Sequence, residues 1–254
     1  MGTSTWHKSP ATPEWERVRE LYAQPDPSPR EVVSRIVAAL DPTTRAGMSD
    51  PAVVTCLGVL VEGTQRVAGD GLAATLAALG AGTEPAAVQL AAGLRTRADQ
   101  LIAQHQYASR FGDLGLEALG NTALTLASLQ AEGTGMLAIP LSVAEASLAS
   151  LARSDRLHQA ASAFVAHDLD RTFRQFVARD LGEFVGGLGL PTVNDANLLE
   201  DAVAAHCREC AAAVELSDYE SLLRRAETLD PVVRVSELTP LMASGISQGL
   251  SILA

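Results

Sequence analysis

His206, Cys207 and Cys210 are the residues whose types and spacing come closest to a metal site. On a helix His206 and Cys210 stand four apart on one face, and Cys207 and Cys210 stand three apart. Imidazole nitrogen and thiolate sulfur at such spacing can hold part of a zinc site. A structural zinc site needs four ligands, and the only other thiol in the chain is Cys56. A second reading competes: Leu199, Ala202, Val203, His206, Cys210 and Ala213 form one apolar stripe, in which cysteine fills space as a small apolar side chain.

A second group offers acid–base chemistry or a ligand pocket. His158, His167, Asp168 and Asp170 lie close together in sequence. Asp155 and His158 are three apart, as are His167 and Asp170, so on a helix a carboxylate could orient each imidazole as a general base. Ordinary helix charges explain the same spacing, with Asp170 and Arg174 as an i,i+4 ion pair. Asp168 is the exception, because it falls among Phe164, Val165 and Thr172 on the apolar side. An unpaired carboxylate there is costly. It calls for an arginine partner, a new helix to cap, or a place in a ligand site.

No complete catalytic set emerges. None of the five histidines has Glu three residues before it, which removes the di-iron bundle pattern. His105 falls on an apolar stripe and reads as a hydrogen-bonded core histidine. Gly245-Ile246-Ser247-Gln248-Gly249 matches a nucleophile elbow in letters, but the acid and histidine that should follow it are missing. No phosphate-binding loop or dinucleotide fingerprint is present, and no cofactor is expected.

The elements that must position these residues are helical. Asp155–Leu188 carries four of the five phenylalanines, contains no proline, and repeats apolar residues at helical spacing. Its apolar face drifts: Leu157, Ala161, Phe164, Val165 and Thr172 share one side, whereas Phe173, Val177, Leu181, Phe184 and Leu188 lie further round. That pattern predicts either a central helix with different neighbours along its length or a break near Asp168–Asp170. The absence of Pro and Gly between Asp155 and Leu181 favours the central helix.

Around it, Pro- and Gly-marked boundaries divide the chain into about eleven helices. Capping boxes are predicted at Ser28–Glu31, Ser142–Glu145 and Ser217–Glu220, and a cap at Thr192 or Asn194. Asp41-Pro42 and Asp230-Pro231 are read as helix ends. Val232–Val235 is the only strand-like run, and four residues without a partner make no sheet. The expected fold is all-α, a multi-helix globular bundle around a long central helix near 155–186. Residues 1–11 read as a polar tail and 12–254 as one helical domain, with 192–254 as a possible C-terminal lobe behind the Gly186–Pro191 hinge.

Composition narrows the function. A net charge of −11 with dispersed basic residues argues against a nucleic-acid binder and against docking on anionic lipid. Three cysteines suggest a reducing compartment. The absence of an apolar segment in the first ten residues, and of any window long and apolar enough to span a bilayer, suggests a soluble, cytoplasmic protein without a stable membrane span. All basic residues but Lys8 are arginine, and alanine and glycine are abundant. Both features fit a GC-rich, bacterial genome.

The leading expectation is therefore a non-catalytic structural, adaptor or regulatory protein that works through a protein partner or self-association as a homo-oligomer. The alternative is a small-ligand- or metal-binding enzyme or sensor, its pocket near Asp168, His158 and His167 or near His206–Cys210. A third is an effector that inserts its apolar helices, Leu114–Ala152, into a membrane.

Overall fold

Helix α9 (Leu157–Leu181) runs for 25 residues without a break, passing straight through Asp168–Asp170. In this computed structural model residues 12–131 and 139–254 are described. The tail 1–11 and the helix break predicted at Gly133 and Gly135 lie outside them. Along α9 pack α7 (Arg110–Ala127), α10 (Val193–Ala211), α4 (Pro51–Asp70) and α12 (Pro231–Leu253). Each meets a different part of its surface, which is why the apolar face drifts. Phe164, Phe173 and Phe176 are all buried, and Phe173 meets Phe176 edge-on at 6.2 Å.

The remaining helices complete an all-α fold: α1 (Pro13–Tyr22), α2 (Pro29–Ala39), α3 (Pro42–Gly47), α5 (Leu72–Ala78), α6 (Ala86–Gln104), α8 (Leu141–Arg153) and α11 (Glu220–Ala226). Among the described residues there is no strand, only an isolated bridge between Val185 and Leu190. Five helices start in the same way, with a capping side chain followed by proline, whose missing N–H costs nothing at that position. The caps are Thr12, Ser28, Asp41, Asp50 and Asp230.

Two of these starts correct the sequence reading. Asp41-Pro42 ends α2 but also opens α3, where Asp41 accepts from the Thr44 N–H at 2.9 Å. Asp230-Pro231 opens α12, which absorbs the strand-like Val232–Val235 and continues through Pro240. The Gly245–Gly249 motif lies inside that helix. A Cβ on either glycine would run into Val165 or Leu169 of α9, so these glycines serve close helix packing.

Two predicted capping boxes do not form, because their glutamates cap other helices. Glu145 accepts from the Leu72 N–H at 2.8 Å, at the start of α5. Glu220 reaches the start of α9. The box at Thr192 does form, with Asp195 as its partner.

Leu188 was expected to continue the core face of the central helix. That helix ends at Leu181, and Leu188 is 85% exposed. No helix among the described residues is long and apolar enough to cross a membrane. Leu114, Leu119, Leu126, Leu148 and Leu151, in the stretch considered for insertion, are buried in the core.

Candidate functional site

Asp168 is 1% exposed on α9, and its Oδ2 has no hydrogen-bond partner. It has no arginine partner among the described residues, and inside a continuous helix it caps nothing. Burial first, and then the Asp50 carboxylate, push its carboxyl well above the ordinary range. The thiol of Cys56 on α4 is raised by burial and by the charge of Asp168. Thr172, one turn on, has a buried Oγ1 that is also unpartnered. The cluster is buried, and Asp168 lines none of the five main clefts of the described surface.

The histidines do not join it. His158 pairs with Glu220 and not with Asp155, its ring Nδ1 lying 2.9 Å from Oε2. Asp155 is taken by Arg224. His167 places Nε2 at 3.1 Å from Thr125 Oγ1 of α7, and its Nδ1 is buried without a partner. Burial lowers its pKa below the ordinary histidine value. Asp170 pairs with Arg208 at 2.7 Å, while Arg174 turns to Glu200 and Asp201 of α10. Predicted pairs along α9 are thus replaced by pairs to other helices. His105 also departs from expectation: it lies at the end of α6, stacked on Tyr107, with Nε2 unpartnered.

The metal candidates separate as well. Cys207 is fully buried, in a stripe with Leu199, Val203 and Ala211. His206 and Cys210 sit one step round the helix, half-buried, with Sγ 3.7 Å from Nε2. The stripe was misphased because alanines flank it on both sides, so either phase looks apolar. Among the described residues no group of three or more His, Cys, Asp or Glu could hold a metal ion.

A groove of about 390 Å³ lies where the start of α10 faces the turn before α2. The turn after α9 builds one wall. It is pinned at several points: Gly186 N–H donates to the Leu190 carbonyl at 2.8 Å, and Phe184 meets Tyr22 edge-on at 5.6 Å. Gly186 has φ 93°, and a Cβ on Gly189 would collide with the Tyr22 and Gln24 carbonyls. This anchored turn nevertheless points Leu188 outward. Leu198 (58% exposed) lines the same groove from α10. Pro27, Pro29 and Pro191 add apolar surface, and the only charged residues lining the groove are Asp26 and Asp195.

Sequence reasoning missed this groove. The available signal was a leucine set between glycines, Gly187-Leu188-Gly189, beyond the last helical turn. Comparison with protein-family models, curated proteins and solved structures finds no match to this chain.

Proposed function

We propose that this chain is a non-catalytic helical adaptor that binds a partner protein in the groove between α2 and α10. The observation that carries this reading is Leu188, held outward on a pinned turn and lining one groove with exposed Leu198. Exposed aliphatic clusters of this kind mark interaction sites. Each such side chain contributes about 1.5–3 kcal/mol when fully buried.

Charge selects the occupant. The groove has two carboxylates and no basic residue in its lining, on a chain of net charge −11. A second copy would bring acid against acid. A partner segment with leucine-like side chains flanked by lysine or arginine satisfies both the apolar floor and the acidic rim, in the manner of a helix in a groove.

The test is a calorimetric titration with two designed amphipathic peptides, one Leu/Lys and one Leu/Glu. The Leu/Lys peptide should bind, more weakly at high salt, and Leu198→Ser should weaken it by about tenfold or more. Equal binding of both peptides, or unchanged affinity in Leu198→Ser, would overturn the reading. So would a stable dimer that occludes the groove.

A further inference from the structure

A separate cleft of about 300 Å³ lies between α4, α5 and α6. We infer that it binds a small organic anion with an apolar body. Its charged lining residues are Glu62, Arg66 and Arg97. Both oxygens of Glu62 are already engaged. Arg66 Nη2 lies 2.7 Å from Oε1, and Arg234 reaches Oε2 from behind. Arg234 is buried at 6% exposure and also donates to the carbonyls of Glu227 and Leu229, so its position is fixed.

The single negative charge of Glu62 is shared between Arg66 and Arg234, and with Arg97 three positive charges stand against it. Arg97 is half-buried, and no carboxylate among the described residues pairs with it. Three arginines and one glutamate at and behind this cleft make a positive local balance on a chain whose formal charge is −11. A positive cleft in an acidic protein concentrates anions at that point, and guanidinium is suited to carboxylate, sulfonate or phosphate oxygens.

The rest of the lining is mixed: Val59, Ala78, Leu79 and Leu94 supply apolar surface, with Gly63 and Gly93 between them, and Thr75, Thr96 and Gln100 stand among them. A Cβ on Gly63 would lie 2.6 Å from Leu94 Cδ2, and one on Gly93 would lie 3.0 Å from Leu79 Cβ. The glycines let Leu94 and Leu79 pack close against the neighbouring helices, so a small apolar surface is presented in the same cleft as Arg66 and Arg97. The volume is at the small end of ligand sites. It suits one aromatic ring system or a short acyl chain with a single anionic head.

Isothermal titration with naphthalene-1-sulfonate, uncharged 1-naphthol and inorganic sulfate separates the two halves of this recognition. Naphthalene-1-sulfonate should bind at one site, at least about tenfold tighter than either 1-naphthol or sulfate. Arg97→Gln should weaken it about tenfold, and Ala78→Phe, at an exposed wall position, should block it. Arg66→Gln at the open mouth gives a second charge variant should Arg97→Gln fold poorly. Equal affinity for 1-naphthol, equal affinity for sulfate, or undiminished binding in the arginine and Ala78 variants would overturn the inference. So would the absence of millimolar binding.

Discussion

Glu220 holds the start of α9 through His158. Its Oε2 accepts from the His158 backbone N–H at 2.9 Å and lies 2.9 Å from the ring Nδ1, while Oε1 accepts from the Leu157 N–H at 3.3 Å. Helix α9 has no side-chain cap of its own. The central helix is therefore capped by a residue more than sixty positions later, and α11 is tied to the core by the same contact.

Removing that cap should be measurable. Glu220→Ala is expected to cost about 1–2 kcal/mol in urea denaturation. Asp155→Ala should cost less than about 0.5 kcal/mol, since Asp155 is 76% exposed and paired only at the surface. An Asp155 effect equal to that of Glu220 would contradict this assignment of roles.

Asp168 predicts an alkaline slope. Its carboxyl is raised by burial and by Asp50, so the folded state keeps a proton that the unfolded chain releases above about pH 4. Its contribution to stability is present in full below that pH and is lost as pH rises toward the folded value. Asp168→Leu, similar in size and apolar, should stabilise the fold by about 1–3 kcal/mol near neutrality. The gain should grow with pH in melts from pH 5 to 9.

His167 predicts the opposite slope. Burial lowers its pKa, so the unfolded chain takes up a proton first as pH falls below about 6.5. Stability is present above that value and is lost below it, by up to about 1.4 kcal/mol per pH unit. His167→Gln should remove this part of the acid loss. An unchanged difference between pH 7.5 and 5.5 would count against a buried neutral imidazole.

The thiols should divide sharply. Cys56 and Cys207 are buried, and burial raises both thiols, whereas Cys210 is half-exposed beside His206. Only thiolate reacts with disulfide reagents. Native protein should release close to one equivalent per chain with Ellman's reagent, lost in Cys210→Ser, and three after unfolding. Fast native reaction of Cys207 would show that the α10 stripe is misassigned.

Local signals in the sequence were sufficient for most helix starts. A cap followed by proline is a short-range device, and it reads correctly at Ser28. The continuity of α9 was also legible, because nothing in its sequence could break it. Glu145 and Glu220 were not legible in this way. Each sits at the correct offset for a local box, yet each accepts from a helix start distant in sequence, and only tertiary packing decides between the two. The predicted side-chain pairs were replaced for a related reason. Spacing along α9 pairs Asp155 with His158 and Asp170 with Arg174, but side chains from α10 and α11 compete and win. Leu188 was assigned to the core because helical periodicity was carried past Leu181.

The central claim is that the groove beside Leu188 receives a basic, apolar partner segment. Hydrogen–deuterium exchange with and without the Leu/Lys peptide tests it most directly. The reading predicts slowed exchange in residues 24–30 and 186–202, with the central part of α9 unaltered. Protection centred elsewhere, or none at saturating peptide, would contradict it.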